Sequence, residues 1–256
     1  MRYMNKKKLT ISFLLCLFGG YLGLHYFYEK NHKKGIIYAL TIGLFLFGYL
    51  YDIFRYGIKL LRNEEEPVIV PSEVYQNIYY DRIQKSTPRN YVVFDTETTG
   101  LNPESDRIIE ISAIKYIDNK KVASFNYLIN PKMKFDSFIT ELTGIKPTDL
   151  KKQPTIDLVI PRFYKFIEDF TLIAHNAEYD LKMIACEAYR CNIPLCKNKV
   201  IDTVPLAKKI IPKEDVANYK LETLKKYLKL DYGSHRALDD CETCAKVYQL
   251  YLSKKR

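Results

Sequence analysis

The chain has 256 residues, 47% of them apolar, and 40 Lys and Arg against 30 Asp and Glu, for a formal net charge of +10. Abundant Leu, Ile, Tyr and Phe exclude a low-complexity or wholly disordered chain. The charge is uneven: residues 1–62 hold ten basic and two acidic side chains, net +8, and the remainder holds 30 and 28, net +2. The basic excess belongs to the N-terminal part, so the high pI does not by itself indicate a nucleic-acid-binding surface on the larger part.

Residues 9–28 and 35–51 contain no formally charged side chain. Runs of 20 and 17 residues predict helices of about 30 and 25 Å, close to the thickness of a bilayer core. Glu29-Lys30-Asn31-His32-Lys33-Lys34 between them is short enough only for a hairpin loop. A signal peptide would fit the basic start, but no small-residue cleavage site comes after it. A lipoprotein site at Cys16 is disfavoured because Leu15 stands where a small residue is expected. Seven Lys and Arg on the outer flanks against three in the loop place both ends in the cytoplasm. Gly19, Gly20, Gly23, Gly43 and Gly48 would let two membrane helices approach closely. Through Gly20, Gly23, His25, Phe27-Tyr28, Gly35 and Asp52, this stretch resembles the two-helix membrane module known as the TM2 domain. His25 and Asp52 read as residues at the water interface or satisfied within the hairpin, rather than as catalytic groups.

Asn63-Glu64-Glu65-Glu66-Pro67 ends the apolar pattern, and Pro71 and Pro88 punctuate the next stretch of chain. Residues 63–89 read as a linker, with a short helix expected around 74–84. From residue 90 the pattern alternates. Strands are expected at 91–94, 107–117 and 122–129, the last two joined in a hairpin near Asp118-Asn119. A helix at 156–169, a strand at 171–174, a helix at 178–190 and a short strand at 200–201 come next. Helices at 204–211, 221–228 and 236–252 complete the reading. The prediction is an α/β mixed sheet covered by helices, of ordinary single-domain size.

Asp95-Thr96-Glu97 leaves the first strand toward Thr98-Thr99-Gly100. Side chains two apart on a strand share a face, so Asp95 and Glu97 are presented together, and Gly100 permits a sharp turn beside them. Two acids on one face repel unless a cation lies between them, although an acid pair after a strand can equally be a helix cap or a solvated turn. Asp180 lies in the first turn of the helix that follows Ala174-His175-Asn176, where an acid also favours a helix N-terminus. His235-Arg236-Ala237-Leu238-Asp239-Asp240 opens the final helix and can present His235 and Asp240 to one cleft.

Together, Phe94-Asp95-Thr96-Glu97-Thr98-Thr99-Gly100-Leu101, Ala174-His175-Asn176-Ala177 with Asp180, and His235 to Asp240 resemble the three motifs of DEDDh-class 3′–5′ exonucleases. That class belongs to the ribonuclease-H-like superfamily and includes the proofreading subunit of bacterial replicative polymerase. Lesser matches occur in the same order at Leu128-Ile129-Asn130-Pro131, Thr143-Gly144-Ile145, Ile201-Asp202-Thr203 and Leu221-Glu222-Thr223-Leu224. Cys241 departs from the Ala often found there. The resemblance implies that Asp95, Glu97, Asp180 and Asp240 ligate two divalent metals, Mg²⁺ or Mn²⁺, about 3.5–4 Å apart, which activate a water and stabilise the leaving 3′ oxygen. It implies His235 as general base, Asp239 as a solvated neighbour, and Thr98, Leu101 and Asn176 as substrate contacts. Core packing is the competing reading for Leu101, and His175 reads as a structural histidine. Cys241 and Cys244 could form a zinc site with Cys191 and Cys196 only if four thiols converged; buried thiols are expected instead.

The organisation expected is a transmembrane hairpin over 1–62, a linker over 63–89 and an exonuclease domain over 90–256. The function expected is a membrane-anchored, metal-dependent 3′–5′ exonuclease at the cell membrane, with its catalytic domain in the cytoplasm. Its partners would be single-stranded DNA or RNA 3′ ends and the lipid bilayer, with a membrane or replication and repair protein also conceivable. The alternatives are an oligoribonuclease-like or RNA-trimming nuclease and a catalytically silent nucleic-acid-binding module. The presence of all four acids and the histidine argues against the last.

Overall fold

The computed structural model describes residues 6–41, 47–62, 70–76, 78–83, 85–231 and 236–255. The chain divides into two compact units, Met1–Val70 and Pro71–Arg256.

In the first unit, α1 (Lys6–Gly19) leads through a 3₁₀ turn (Gly20–Leu22) into α2 (Leu24–Tyr28); α3 (His32–Leu40) and α4 (Phe47–Arg62) complete it. The expected continuous helix over 9–28 is therefore broken. Gly23 adopts φ +74, a left-handed conformation that ends the turn, and a Cβ there would lie 2.7 Å from the Gly35 carbonyl oxygen. Backbone geometry at one glycine thus overrides an apolar run long enough to span. Among the described residues no helix is long and apolar enough to cross a membrane; residues 42–46 of the second run lie outside them. The unit nonetheless has a polar interior. Asp52 Oδ2 lies 3.2 Å from His25 Nε2 and accepts from the Tyr26 and Tyr38 hydroxyls at 2.8 and 2.7 Å. The Tyr56 hydroxyl donates to Glu29 at 2.6 Å. All six of these side chains are buried, whereas Phe18, Leu40 and Phe54 are 77%, 80% and 70% exposed. His25 and Asp52 thus belong to the interior of this unit, Asp52 meeting His25 Nε2 and two tyrosine hydroxyls.

The second unit is an α/β fold around a five-stranded mixed sheet of order β3-β2-β1-β4-β5. Strands β1 (Tyr91–Thr98), β2 (Ile108–Ile117) and β3 (Lys120–Leu128) are antiparallel neighbours. β4 (Thr171–Ala174) and β5 (Val200–Asp202) run parallel to β1. Asp118 and Asn119 both take positive φ, the conformation a two-residue hairpin turn needs. The helices are α5 (Ser137–Thr143), α6 (Pro147–Leu150), α7 (Ile156–Ile167), α8 (Ala177–Cys191), α9 (Thr203–Ile210), α10 (Leu221–Tyr227) and α11 (Ala237–Lys254).

Alternation along β1 builds two cores. Val92 and Phe94 pack with Val159, Phe163, Leu181 and Ile184 of α7 and α8. Tyr91 and Val93 pack on the opposite face with Cys241, Cys244 and Tyr248 of α11. Both faces are covered, which is why β1 reads as a continuous apolar run. The helix expected over 74–84 is replaced, among the described residues, by 3₁₀ turns at Ser72–Val74 and Tyr80–Arg82. Its apolar residues are used for docking: Ile78 enters the α7–α8 core and Ile83 bridges to Val200 of β5.

Candidate active site

β1 continues beyond the expected strand to Thr98, which carries Asp95 and Glu97 onto the same face as Tyr91 and Val93, the face covered by α11. Asp240 lies in the first turn of α11. One carboxylate oxygen from each of Asp95, Glu97 and Asp240 falls within 4.8 Å of the others. Thr96, between the two strand acids, points the other way, toward α8. Its N–H and hydroxyl donate to Asp180 Oδ1 at 3.0 and 2.6 Å, fixing that buried carboxylate at the start of α8. Asp180 is not one of the three whose oxygens converge. Asp239, one residue before Asp240, also stays outside the cluster.

The electrostatics express this crowding. Burial, then the charges of Asp180, Glu97 and Asp240, hold the Asp95 carboxyl well above the usual range. Burial, then Asp240 and Glu110, push Glu97 up to about 8. Burial raises Asp180 to about 7 against the opposing hydrogen bonds from Thr96. A divalent cation would let the carboxylates ionise together. The donors are oxygens without sulfur or imidazole, a set that fits a hard cation.

Glu110, which sequence reasoning passed over, holds the site in place through Arg236 of the third motif. Glu110 on β2 sits opposite Glu97 in the ladder and is fully buried. Its carboxylate pairs with Arg236 at 3.1 Å and accepts the Ala237 N–H at 3.4 Å. That contact ties the start of α11, and hence Asp240, to the sheet. The only signal in the sequence was a single acid interrupting Ile108-Ile109-Glu110-Ile111. His235 lies outside the described residues.

The loop after β1 is rigidly built. Thr98 Oγ1 contacts the Gly100 carbonyl at 2.7 Å and the Tyr179 hydroxyl at 2.6 Å. A Cβ on Gly100 would come within 2.5 Å of the Asp106 carboxylate and displace it from its contacts with the Thr99 hydroxyl and the Asn102 N–H. Arg190 clamps the loop further, donating to the carbonyls of Pro103, Glu104 and Asp106. This loop presents Leu101 at 83% exposure, which removes the core-packing reading for that residue. Asn176 caps α8 at φ +65, its N–H donating to Asp202 at 3.1 Å. His175 is structural: its two ring nitrogens lie 2.8 Å from Thr203 Oγ1 and from the Tyr219 carbonyl oxygen. Burial holds its pKa below the ordinary histidine range. All six cysteines are free thiols. Cys241 and Cys244 pack on the α11 face, while Cys191 and Cys196 pack against the opposite core, so the four do not gather around one ion.

The family model described as Exonuclease matches residues 92–248, and the TM2 domain model matches residues 5–54. The PolC-type DNA polymerase III of Clostridium perfringens is 39% identical over 174 residues, 68% of this chain but 12% of that protein. The chain spans 10–14% of the length of the PolC-type relatives it matches. The DNA polymerase III epsilon subunit of Treponema pallidum is 32% identical over 159 residues, 62% of this chain and 74% of that protein. Among solved structures, exonuclease X in complex with 5′-overhanging duplex DNA has a TM-score of 0.52 at 26% identity, covering 65% of this chain and 93% of that one. The zinc-bound form of an E. coli exonuclease I complex with single-stranded DNA has a TM-score of 0.58 at 17% identity, covering 65% and 41%, a likeness of fold.

Proposed function

The chain belongs to the Exonuclease family, and on that premise we propose that it is a membrane-anchored, metal-dependent 3′–5′ exonuclease that hydrolyses single-stranded ends of DNA or RNA. The observation that carries the reading is the convergence of Asp95, Glu97 and Asp240 within 4.8 Å at the end of β1. These three would hold the cation, with Asp180 completing the DEDDh set. When bound, a pair of Mg²⁺ or Mn²⁺ ions supplies charge neutralisation at the scissile phosphate and a more acidic water. The remaining work falls to the chain itself. Thr96 fixes one oxygen of Asp180. Glu110 and Arg236 anchor the helix that carries Asp240. His235, two residues before the start of that helix in the sequence, takes the proton of the attacking water as general base. The backbone at Thr98 and the exposed Leu101 meet the terminal nucleotide, and Asn176 supports the strand beside the acids.

The N-terminal unit supplies the anchor. Its support is the TM2 match and the distribution of side chains, with the polar groups inside and large apolar ones outside, the arrangement expected of a unit whose surroundings are lipid. In this layout residues 1–62 form a membrane hairpin, 63–89 a linker and 90–256 the nuclease, with the catalytic domain facing the cytoplasm. The DNA in the exonuclease X and exonuclease I complexes favours a nucleic-acid end as the substrate. End-labelled DNA and RNA oligonucleotides incubated with the purified chain and Mg²⁺, Mn²⁺ or EDTA test the reading. Stepwise shortening from the 3′ end that stops in EDTA is expected; no shortening of either polymer with any metal would refute it. The anchor is tested by alkaline washing of membranes, from which the chain should not be released.

A further inference from the structure

A cavity of about 670 Å³ is lined by residues of the β4–α8 junction, including His175 and Asn176, and of the segment from α9 to α10. Lys208, Lys213 and Lys220 are among its lining residues, which include no Asp or Glu. This is a local concentration of positive charge in a part of the chain whose net charge is only +2. The cavity is held in shape from within. The half-buried His175 donates through Nε2 to the Tyr219 carbonyl and pairs through Nδ1 with the Thr203 hydroxyl of α9, and so pins the lysine-bearing segment to the end of β4. The Tyr219 hydroxyl donates to the Ile211 carbonyl, and Asn218 Oδ1 accepts from the Lys220 N–H and the Thr223 hydroxyl.

Its position is set by the sheet. β1 and β4 are parallel, with Val93 opposite Ile173. β4 ends at Ala174, and His175 and Asn176 follow it directly into the helix that carries Asp180. Asn176, also in the lining, caps the helix whose first turn holds Asp180. The cavity therefore shares Asn176 with the start of the helix that carries Asp180, while its own lining carries lysines in place of acids. Tyr219 adds an aromatic ring, with Lys208 Nζ 6.0 Å from its centroid.

We propose that this cavity is the track for the substrate strand: Lys208, Lys213 and Lys220 hold the phosphates of nucleotides 5′ to the scissile bond, and Tyr219 offers a face for a base. The assignment rests on the exonuclease reading and deepens it, because a nuclease that takes one terminal nucleotide at the acids must place the rest of a polyanion nearby. Positive charge interleaved with an aromatic ring is the chemistry that grips single strands without regard to sequence.

The test uses the full chain with Lys208→Gln, Lys213→Gln and Lys220→Gln combined. Two substrates are compared at fixed Mg²⁺: a single-stranded oligonucleotide, and the p-nitrophenyl ester of thymidine 5′-phosphate, which has no nucleotide 5′ to its reacting phosphate. The variant should lose kcat/KM on the oligonucleotide and keep it on the ester. The slope of log affinity against log salt for the oligonucleotide should fall by about 2, at about 0.7 per single-strand phosphate contact. Between 50 and 200 mM salt that difference amounts to about 20-fold. An unchanged salt slope, or an equal loss on the ester, would overturn the assignment. Fluorescence anisotropy of a labelled oligonucleotide reads the slope without cleavage. An inactive wild-type chain that still binds through the three lysines would sink the nuclease reading and leave the strand track standing. If the triple Gln variant fails to fold, the same lysines changed to Arg, which should keep the slope, and singly to Gln, which should each lower it, decide the matter.

Discussion

Replacing Glu97 by Gln in metal-free protein removes one of three converging carboxylates while keeping the shape of the side chain. Burial, Asp240 and Glu110 raise Glu97 from 4.5 to about 8. Its folded value lies above its unfolded value, so across that window the folded chain retains a proton that the unfolded chain has released. Stability must therefore fall as the pH rises from about 4.5 to about 8. At 1.36 kcal/mol per unit, the whole gap corresponds to about 5 kcal/mol, of which about 4 kcal/mol is lost by pH 8. Asp95 and Asp180 are raised as well and share the same protons, so a single substitution should recover about 2–4 kcal/mol. For a unit of this size that is a rise in Tm of roughly 5–15 °C. Calorimetry in EDTA at pH 5 and pH 8 checks it. The wild-type Tm should drop between the two pH values, the variant's should drop much less, and the two should nearly coincide at pH 5. Adding Mg²⁺ at pH 8 should restore the wild type and do little for the variant. Parallel pH profiles for the two proteins would refute the argument that the carboxylates destabilise the metal-free fold.

The sequence made the covered strands legible because their patterns are local. Tyr91 to Phe94 is an unbroken apolar run since both of its faces are buried, and Asp95 and Glu97 share a face simply by lying two apart. The features that could not be read were set at long range or by single torsions. Glu110 meets Arg236 across 126 residues, and no periodicity in either segment announces that pair. The break at Gly23 depends on one positive φ that hydropathy cannot register. Helices α5 and α6 are too short to complete a period; they are marked by an Asp136 side-chain cap, a left-handed Gly144 and Pro147 at a helix start, signals legible only once the surrounding turns are known. The tyrosines and isoleucines of 74–84 do recur at helical spacing, but Ile78 and Ile83 are drawn to a core and a strand that the spacing alone could not supply.

Asp240→Ala should abolish nearly all cleavage while leaving the circular dichroism spectrum intact, because it removes one of the three converging oxygens; full activity of the variant would count against the metal site. Thr96→Val deletes the 2.6 Å hydroxyl contact to Asp180 and should lower activity about 10–100-fold, with the deficit shrinking as the Mg²⁺ concentration is raised in a titration of initial rates. Arg236→Ala acts through stability as well as rate. Glu110 has no solvent exposure, and Arg236 supplies both its 3.1 Å ion pair and its 3.4 Å Nε contact. Removing the arginine strands a buried carboxylate, at a cost of about 3 kcal/mol in urea denaturation. The double variant Arg236→Ala with Glu110→Gln carries no such charge, so it should regain most of the stability while remaining impaired in cleavage, because α11 is still loosened where Asp240 begins. A double variant as unstable as Arg236→Ala would show that the arginine stabilises through its packing and not through the carboxylate, and that Glu110 does not anchor the helix.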